Sequence, residues 1–159
     1  MGSEFGQWGE WNHEATPDWA ALDYHLHRGI RDLVRDLNGL YRAAPALHAR
    51  DSDPGGFHWV DGGAAEAGVF SWLRFGHADA APVLCLFNFS RTEHRGWRSG
   101  VPLAGRWVER LNTDAAAYGG SGRGNFGGAE TEPVPAHDQP QSLTLTLPPL
   151  TGLILEHSP

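Results

Sequence analysis

Ser142-Leu143-Thr144-Leu145-Thr146-Leu147 places a leucine at every second position. A period of two belongs to a β-strand, whose successive side chains point to opposite faces, so this stretch predicts a strand with one apolar and one wet face. Working outward, Val83-Leu84-Cys85-Leu86-Phe87-Asn88-Phe89, Val69-Phe70-Ser71-Trp72-Leu73-Arg74-Phe75 and Phe57-His58-Trp59-Val60 are further short apolar or alternating runs. Turn-forming residues such as Asp53-Pro54-Gly55-Gly56 and Asp61-Gly62-Gly63 separate them. Strands are also expected at His94 to Arg98, Arg106 to Leu111 and Gly152 to Glu156. Strands at this spacing, with no helix between them, predict an antiparallel β-sandwich. Asn112 to Gln141 is Gly/Pro-rich and too long for a tight turn, which makes it either an ordered functional loop or a mobile one.

Ahead of the strands lies one helical segment. Leu22, Leu26, Ile30, Leu33, Val34, Leu37, Leu40 and Tyr41 recur at spacings of three and four, the period of an amphipathic helix. Thr16 suits the N-cap and Pro17 the first turn, where its missing N–H is not needed. Arg28 and Asp32 are placed for an i,i+4 pair on the solvated face, and Pro45 ends the pattern. The stripe needs a larger partner than the strands supply, a first sign of missing structure upstream. Met1 to Ala15 has no periodicity and reads as a loop carrying three aromatics of exposed type, Phe5, Trp8 and Trp11.

Composition narrows the classes of function. The chain has 159 residues, too few for a complete barrel enzyme. No apolar run approaches the ~20 residues of a membrane span, and the polar start does not read as a signal peptide, so a soluble cytoplasmic protein is expected. The net charge of −7, with arginine as the sole basic residue type beside histidine, argues against nucleic acid and anionic membranes as partners. Cys85 is the single cysteine, which excludes a disulfide within the chain, and its apolar run predicts a buried, inert thiol. The seven tryptophans have two readings, core filling or stacking on sugar rings.

The apparent chemical motifs fail on context. Gly122-Arg123-Gly124-Asn125-Phe126-Gly127 has the dinucleotide-binding spacing, but the Pro-containing stretch after it cannot open the required helix. His25 and His27 point about 200° apart on a helix and cannot share an ion. Asp51-x-Asp53-Pro54-Gly55 lacks the later ligands of a calcium loop and reads as a turn. Glu4, Glu10 and Glu14 are carboxylates on a loop, whereas retaining glycoside chemistry needs two held about 5 Å apart. No metal, cofactor or autonomous catalytic residue is expected.

Taken in order, however, the motifs resemble one family. Met1-Gly2-Ser3-Glu4-Phe5-Gly6-Gln7-Trp8-Gly9-Glu10-Trp11-Asn12-His13 looks like the segment after the eighth barrel strand of glycogen branching enzymes in the α-amylase superfamily. Asp18-Trp19, Leu33-Val34-Arg35-Asp36-Leu37-Asn38, Pro45-Ala46-Leu47-His48, Asp51-x-Asp53-Pro54-x-Gly56-Phe57-x-Trp59, Leu111-Asn112-Thr113-Asp114, Tyr118-Gly119-Gly120-Ser121-Gly122-x-Gly124-Asn125 and Leu147-Pro148-Pro149-Leu150 continue it. The match excludes Gly2 to Phe5 as a cloning remnant and makes Met1 an internal methionine of a longer enzyme. Gly9 departs from the pattern, standing where the family often carries a basic residue.

The resemblance implies a mainly β chain: residues 1–48 the end of a (β/α)8 barrel, and residues 49–159 an α-amylase-type C-terminal β-sandwich. It implies a parent activity that cuts an α-1,4-glucan and transfers the end to a 6-hydroxyl with retention. The contexts of the superfamily's catalytic carboxylates are not found in this sequence, so the chain alone is expected to be inactive. Glu4, Gln7, Trp8, Trp11, Asn12 and Trp19 are the implied glucan-groove residues, against the alternative that they hold the loop and pack on the barrel. The implied partners are α-glucan through the parent enzyme and the missing barrel, or self-association in its place. Two alternatives remain: a free-standing carbohydrate-binding β-domain, and the end of another α-glucan-active enzyme.

Overall fold

The expected strands all form in the computed structural model, which describes residues 1–61 and 64–158. In chain order they are β1 (Phe57–Asp61), β2 (Val69–Arg74), β3 (Val83–Asn88), β4 (His94–Val101), β5 (Arg106–Asn112), β6 (Gly128–Glu130), β7 (Gln141–Leu147) and β8 (Thr151–Ser158). Six make one antiparallel sheet in the order β1-β2-β3-β8-β5-β6, and β4 pairs with β7 in a second. The chain crosses to the second sheet after β3, returns with β5, and ends with β8 inserted between β3 and β5. Three-residue β6 falls within the Gly/Pro-rich stretch and carries no periodic signal. The Gly62–Gly63 part of the expected turn lies outside the described residues.

The alternation of β7 is fulfilled: Leu143, Leu145 and Leu147 are buried and Thr144 is exposed. The leucines meet Leu73, Leu84, Leu86, Val101, Trp107, Leu153 and Leu155 between the sheets. Strands β3 and β8 are nearly apolar throughout because their other face is covered too. On that outer face Val83, Cys85, Leu111 and Ile154 pack with Leu40, Ala44 and Ala46, and Leu33 and Leu37 lie against them. A strand buried on both sides loses its period of two.

Burial pushes the Cys85 thiol up to about 12, and the buried side of Tyr118, which also donates to Asp36, pushes its phenol up to about 12. Both neutral forms are favoured by folding. Their contribution is complete below the unfolded pKa values, roughly 8.5 for Cys and 10 for Tyr, and is lost as pH rises toward 12. Thermal unfolding from pH 8 to 12 should show the midpoint dropping above about pH 9, and a thiol reagent at pH 8 should leave folded Cys85 unmodified. Prompt modification without unfolding would contradict the burial.

The helix corrects the sequence reading at its start. Helix α1 spans His25–Ala43, while Trp19–Asp23 form a 3-10 turn and Tyr24 is extended, so neither Thr16 nor Pro17 opens the helix. The local start signal yields to a tertiary contact: Trp19 stacks on Phe5 at 5.4 Å between ring centroids. Arg28 does not pair with Asp32. Its guanidinium donates to the carbonyls of Leu22 and Asp23 at 2.9 and 2.7 Å, bracing the turn, and Asp32 takes Arg31 and Arg35 instead. The apolar stripe also divides. Leu33, Leu37 and Leu40 dock on this chain's own sheet, whereas Leu26 and Ile30 remain exposed.

Residues 112–128 grip α1 from the β-side. The Tyr118 hydroxyl donates to Asp36 Oδ2 at 2.9 Å, and a Cβ on Gly29 would stand 2.3 Å from the Tyr118 carbonyl oxygen. Glycine at that mid-helix position permits the close approach at a cost of roughly 1 kcal/mol in helix propensity. The loop is itself pinned. Asp114 accepts from Ser121 N–H at 2.9 Å, Asn112 donates to the Arg123 carbonyl at 2.7 Å, and Asn125 both accepts from and donates to the Thr146 backbone. It is an ordered loop with its own partners, not a phosphate cradle. The Asp53 turn is likewise as read: its carboxylate accepts from Gly55 N–H and from Arg50, which together hold it below the ordinary range.

Candidate functional site

The leader, residues 1–24, is positioned by one ring and one histidine. Phe5 ends a single 3-10 turn, Ser3–Phe5, and is buried at 4% exposure, which corrects its expected exposed character. Its carbonyl is hydrogen-bonded to His27 Nδ1 at 2.9 Å, in a buried position on α1. Gly2 and Gly6 have φ of +87° and +63°, and a Cβ at Gly2 would lie 2.2 Å from the Gln7 side chain. Such geometry is open to glycine and strained for other residues.

The six expected groove residues share this segment but divide by role. Gln7 Oε1 accepts from the Asp18 N–H at 3.3 Å and its Nε2 donates to the Gly9 carbonyl at 3.1 Å, closing the loop between residues 7 and 18. Asn12 Oδ1 accepts from the Glu14 N–H at 2.9 Å, closing the tip. Trp19 is spent partly on Phe5. The Glu4 carboxylate is held below the ordinary range by hydrogen bonds from its own backbone N–H and then that of Gly2. Trp8 meets the ring of His27 at 4.7 Å and Tyr24 at 6.4 Å, yet stays 74% exposed. Trp11 is 59% exposed and tilted against His13. A cleft of about 250 Å³ runs between Gln7, Trp11, Asn12 and Pro17.

Glu4, Glu10 and Glu14 are all exposed, and a solvated carboxylate on a loop lacks the fixed geometry that acid–base work requires. No group of three or more His, Cys, Asp or Glu able to hold a metal occurs among the described residues. No helix among them is long and apolar enough to cross a membrane. His27 and Gly29, which anchor the leader and the 112–128 loop, escaped the sequence reading of the site. A glycine at mid-helix was the available signal.

The model of the alpha amylase C-terminal all-beta domain matches residues 59–158. The chain belongs to that family. Its strand order and two-sheet core are the all-β domain, and α1 with the leader lies outside the matched range. Over 99% of its length the chain is 53% identical to the 1,4-alpha-glucan branching enzyme GlgB of Cupriavidus pinatubonensis, covering 21% of that protein. A GlgB of Pseudomonas fluorescens is 53% identical over 98% of the chain, again covering 21% of its own length, and one of Nocardia farcinica is 50% identical over 98%. The chain thus spans about a fifth of the length of these relatives. A solved structure of a mutant trehalulose synthase MutB aligns over 80% of the chain at a TM-score of 0.50 and 18% identity, a likeness of fold.

Proposed function

We propose that this chain is the carboxyl-terminal part of a cytoplasmic 1,4-alpha-glucan branching enzyme, with residues 1–48 the end of its barrel and residues 49–159 its β-domain. One observation carries the reading. The likeness to branching enzymes covers 99% of the chain and therefore takes in the leader and α1, upstream of residue 59, where the match to the widely shared β-domain begins. Those preceding residues set this chain apart from a generic all-β domain and from a free-standing carbohydrate-binding module.

In this reading the leader follows the last barrel strand, at the face where barrel enzymes build their sites. Gln7 and Asn12 hold the loop, Trp19 locks it onto Phe5, and Glu4 lies on its first turn with an exposed carboxylate. Trp8 and Trp11 keep open ring surface for the pyranose rings of an α-glucan. The acid–base and nucleophilic steps belong to carboxylates elsewhere in the longer protein. The exposed Leu26 and Ile30 support a further partner, the barrel in the longer protein or self-association of the chain alone.

The purified 159-residue chain should leave the iodine stain of amylose unchanged, and a stain shift would sink the assignment of catalysis to the rest of the protein. In the longer enzyme, Trp11→Ala should raise KM for amylose about 10-fold, equal to ~1.4 kcal/mol, with the unfolding midpoint unmoved. Unchanged kinetics would reduce Trp11 to a surface ring. Retarded migration of the isolated chain in glycogen gels would favour an autonomous binding module instead.

A further inference from the structure

Among the described residues, His27 is the one buried histidine, and the glucan-groove reading gives it no task. It lies in the first turn of α1, with Nδ1 at 2.9 Å from the Phe5 carbonyl oxygen. A carbonyl oxygen can only accept, so Nδ1 carries a proton and donates it. The turn around Phe5 sits on the same side of the helix. A Cβ on Gly6 would stand 2.9 Å from Cδ1 of Ile30, three residues along α1 from His27. The Gln7 N–H closes that turn by donating to the Gly2 carbonyl at 3.0 Å. Just beyond it comes Trp8, whose ring meets His27 at 4.7 Å and 64°, and Tyr24 at 6.4 Å and 86°. Tyr24 in turn meets His27 at 6.1 Å. An indole so open to water takes its orientation from few contacts, and His27 is the nearest ring.

We propose that His27 is a positioning residue for glucan binding: its bond to the Phe5 carbonyl and its contact with Trp8 fix the Trp8 ring before substrate arrives. This role rests on the functional reading above and deepens it by naming what holds the sugar platform. One side chain touches both ends of the segment Phe5 to Trp8, the backbone at its start and the ring at its end. It therefore restricts the path of the leader off the helix and the orientation of the indole together. A ring already in place need not be ordered on binding, a cost of roughly 0.5–1.5 kcal/mol for each side chain immobilised. His27 thus acts on affinity through Trp8, without touching the glucan. Two observations favour positioning over core filling. An apolar side chain would occupy the same space with no polar group to satisfy, whereas the imidazole is matched to a carbonyl. The second contact falls on a ring left mostly in water, where packing adds little to a core.

Substitutions at position 27 of this numbering in the longer protein, read as KM and kcat for amylose, test this. His27→Ala should raise KM about five-fold, equal to ~1 kcal/mol and so to the net worth of one hydrogen bond, with kcat changed less than about two-fold. His27→Asn keeps an N–H close to the place of Nδ1 and should recover most of that rise. Trp8→Ala should raise KM as well, and adding His27→Ala to it should do little more, because the ring being positioned is gone. A histidine that only fills space would lower the unfolding midpoint and leave KM alone. That result, or an undiminished effect of His27→Ala in the absence of Trp8, overturns the proposal. Amide hydrogen exchange on the 159-residue chain reads the clamp without activity. The Gly6 and Gln7 N–H groups should exchange about ten-fold faster in His27→Ala and near the parental rate in His27→Asn, and equal protection in all three counts against it. Branching of amylose by the unsubstituted longer protein separates the two claims. If it branches and KM ignores position 27, the functional reading stands and the positioning role falls. If it does not branch, the functional reading falls and takes the glucan role of His27 with it, even where exchange shows the clamp.

Discussion

Trp107→Ala is expected to lower the unfolding free energy by about 3–5 kcal/mol, the range for removing a large aromatic from a core. Trp107 on β5 is fully buried between the sheets, among the inward leucines of β7 and β8. Its Nε1–H donates to the Leu103 carbonyl at 3.3 Å, and its ring meets His157 edge-on at 5.5 Å. Truncation removes the ring contacts, leaves a cavity that a two-sheet core cannot easily close, and takes away the donor for Leu103. A small domain has only ~5–15 kcal/mol in all, so the variant should be largely unfolded at modest urea. Trp107→Phe keeps most of the volume and should lose much less. Urea unfolding at matched m-values measures both; an alanine variant within about 1 kcal/mol of the parent would show that the core relaxes into the space.

A second large effect is expected at Asn88, whose buried side chain joins the β3–β4 turn to the β7–β8 turn. Its Nδ2 donates to the carbonyls of Thr92 and Pro148, both at 2.8 Å, while Oδ1 accepts from the Ser90 N–H and hydroxyl at 2.9 and 2.7 Å. Alanine strands groups on both sides of this junction, each costing about 1–3 kcal/mol if water cannot reach it. A total near 2–4 kcal/mol is expected, allowing for partial solvation. Asn88→Asp is the sharper probe. It keeps the acceptor, loses both donors and sets a negative charge against two carbonyls, so it should be no better than alanine. Near-parental stability of the aspartate variant would mean that those carbonyls find other donors.

The sandwich was legible because its signal is local. Alternating leucines in β7 and apolar runs in β2, β3 and β8 follow from which faces are buried, and turn residues mark the joins. What escaped depends on contacts distant in sequence. The start of α1 is set by Trp19 reaching Phe5 and by Arg28 capping carbonyls behind it, so Thr16 and Pro17 offered a sound local signal that the fold overrides. Phe5 lies in an irregular loop, where no period can report burial by His27 and Trp19. β6 is too short to carry a pattern. At the leader, residue types indicated which side chains to examine. Only geometry divides Gln7 and Asn12, which hold the loop, from Trp8 and Trp11, which face outward.

The grip of residues 112–128 on α1 bears on how such proteins can be recombined. The Gly29–Tyr118 approach and the Tyr118–Asp36 hydrogen bond join partners more than 80 residues apart, with Leu40 seated on the sheet beyond them. A chimaera joined between residues 48 and 49 would pair a foreign helix with a loop shaped to this one, and any side chain larger than hydrogen at position 29 would collide. A junction ahead of the leader transfers helix, loop and sheet as a matched set. By this geometry, the transplantable part is the whole chain and not the β-domain alone.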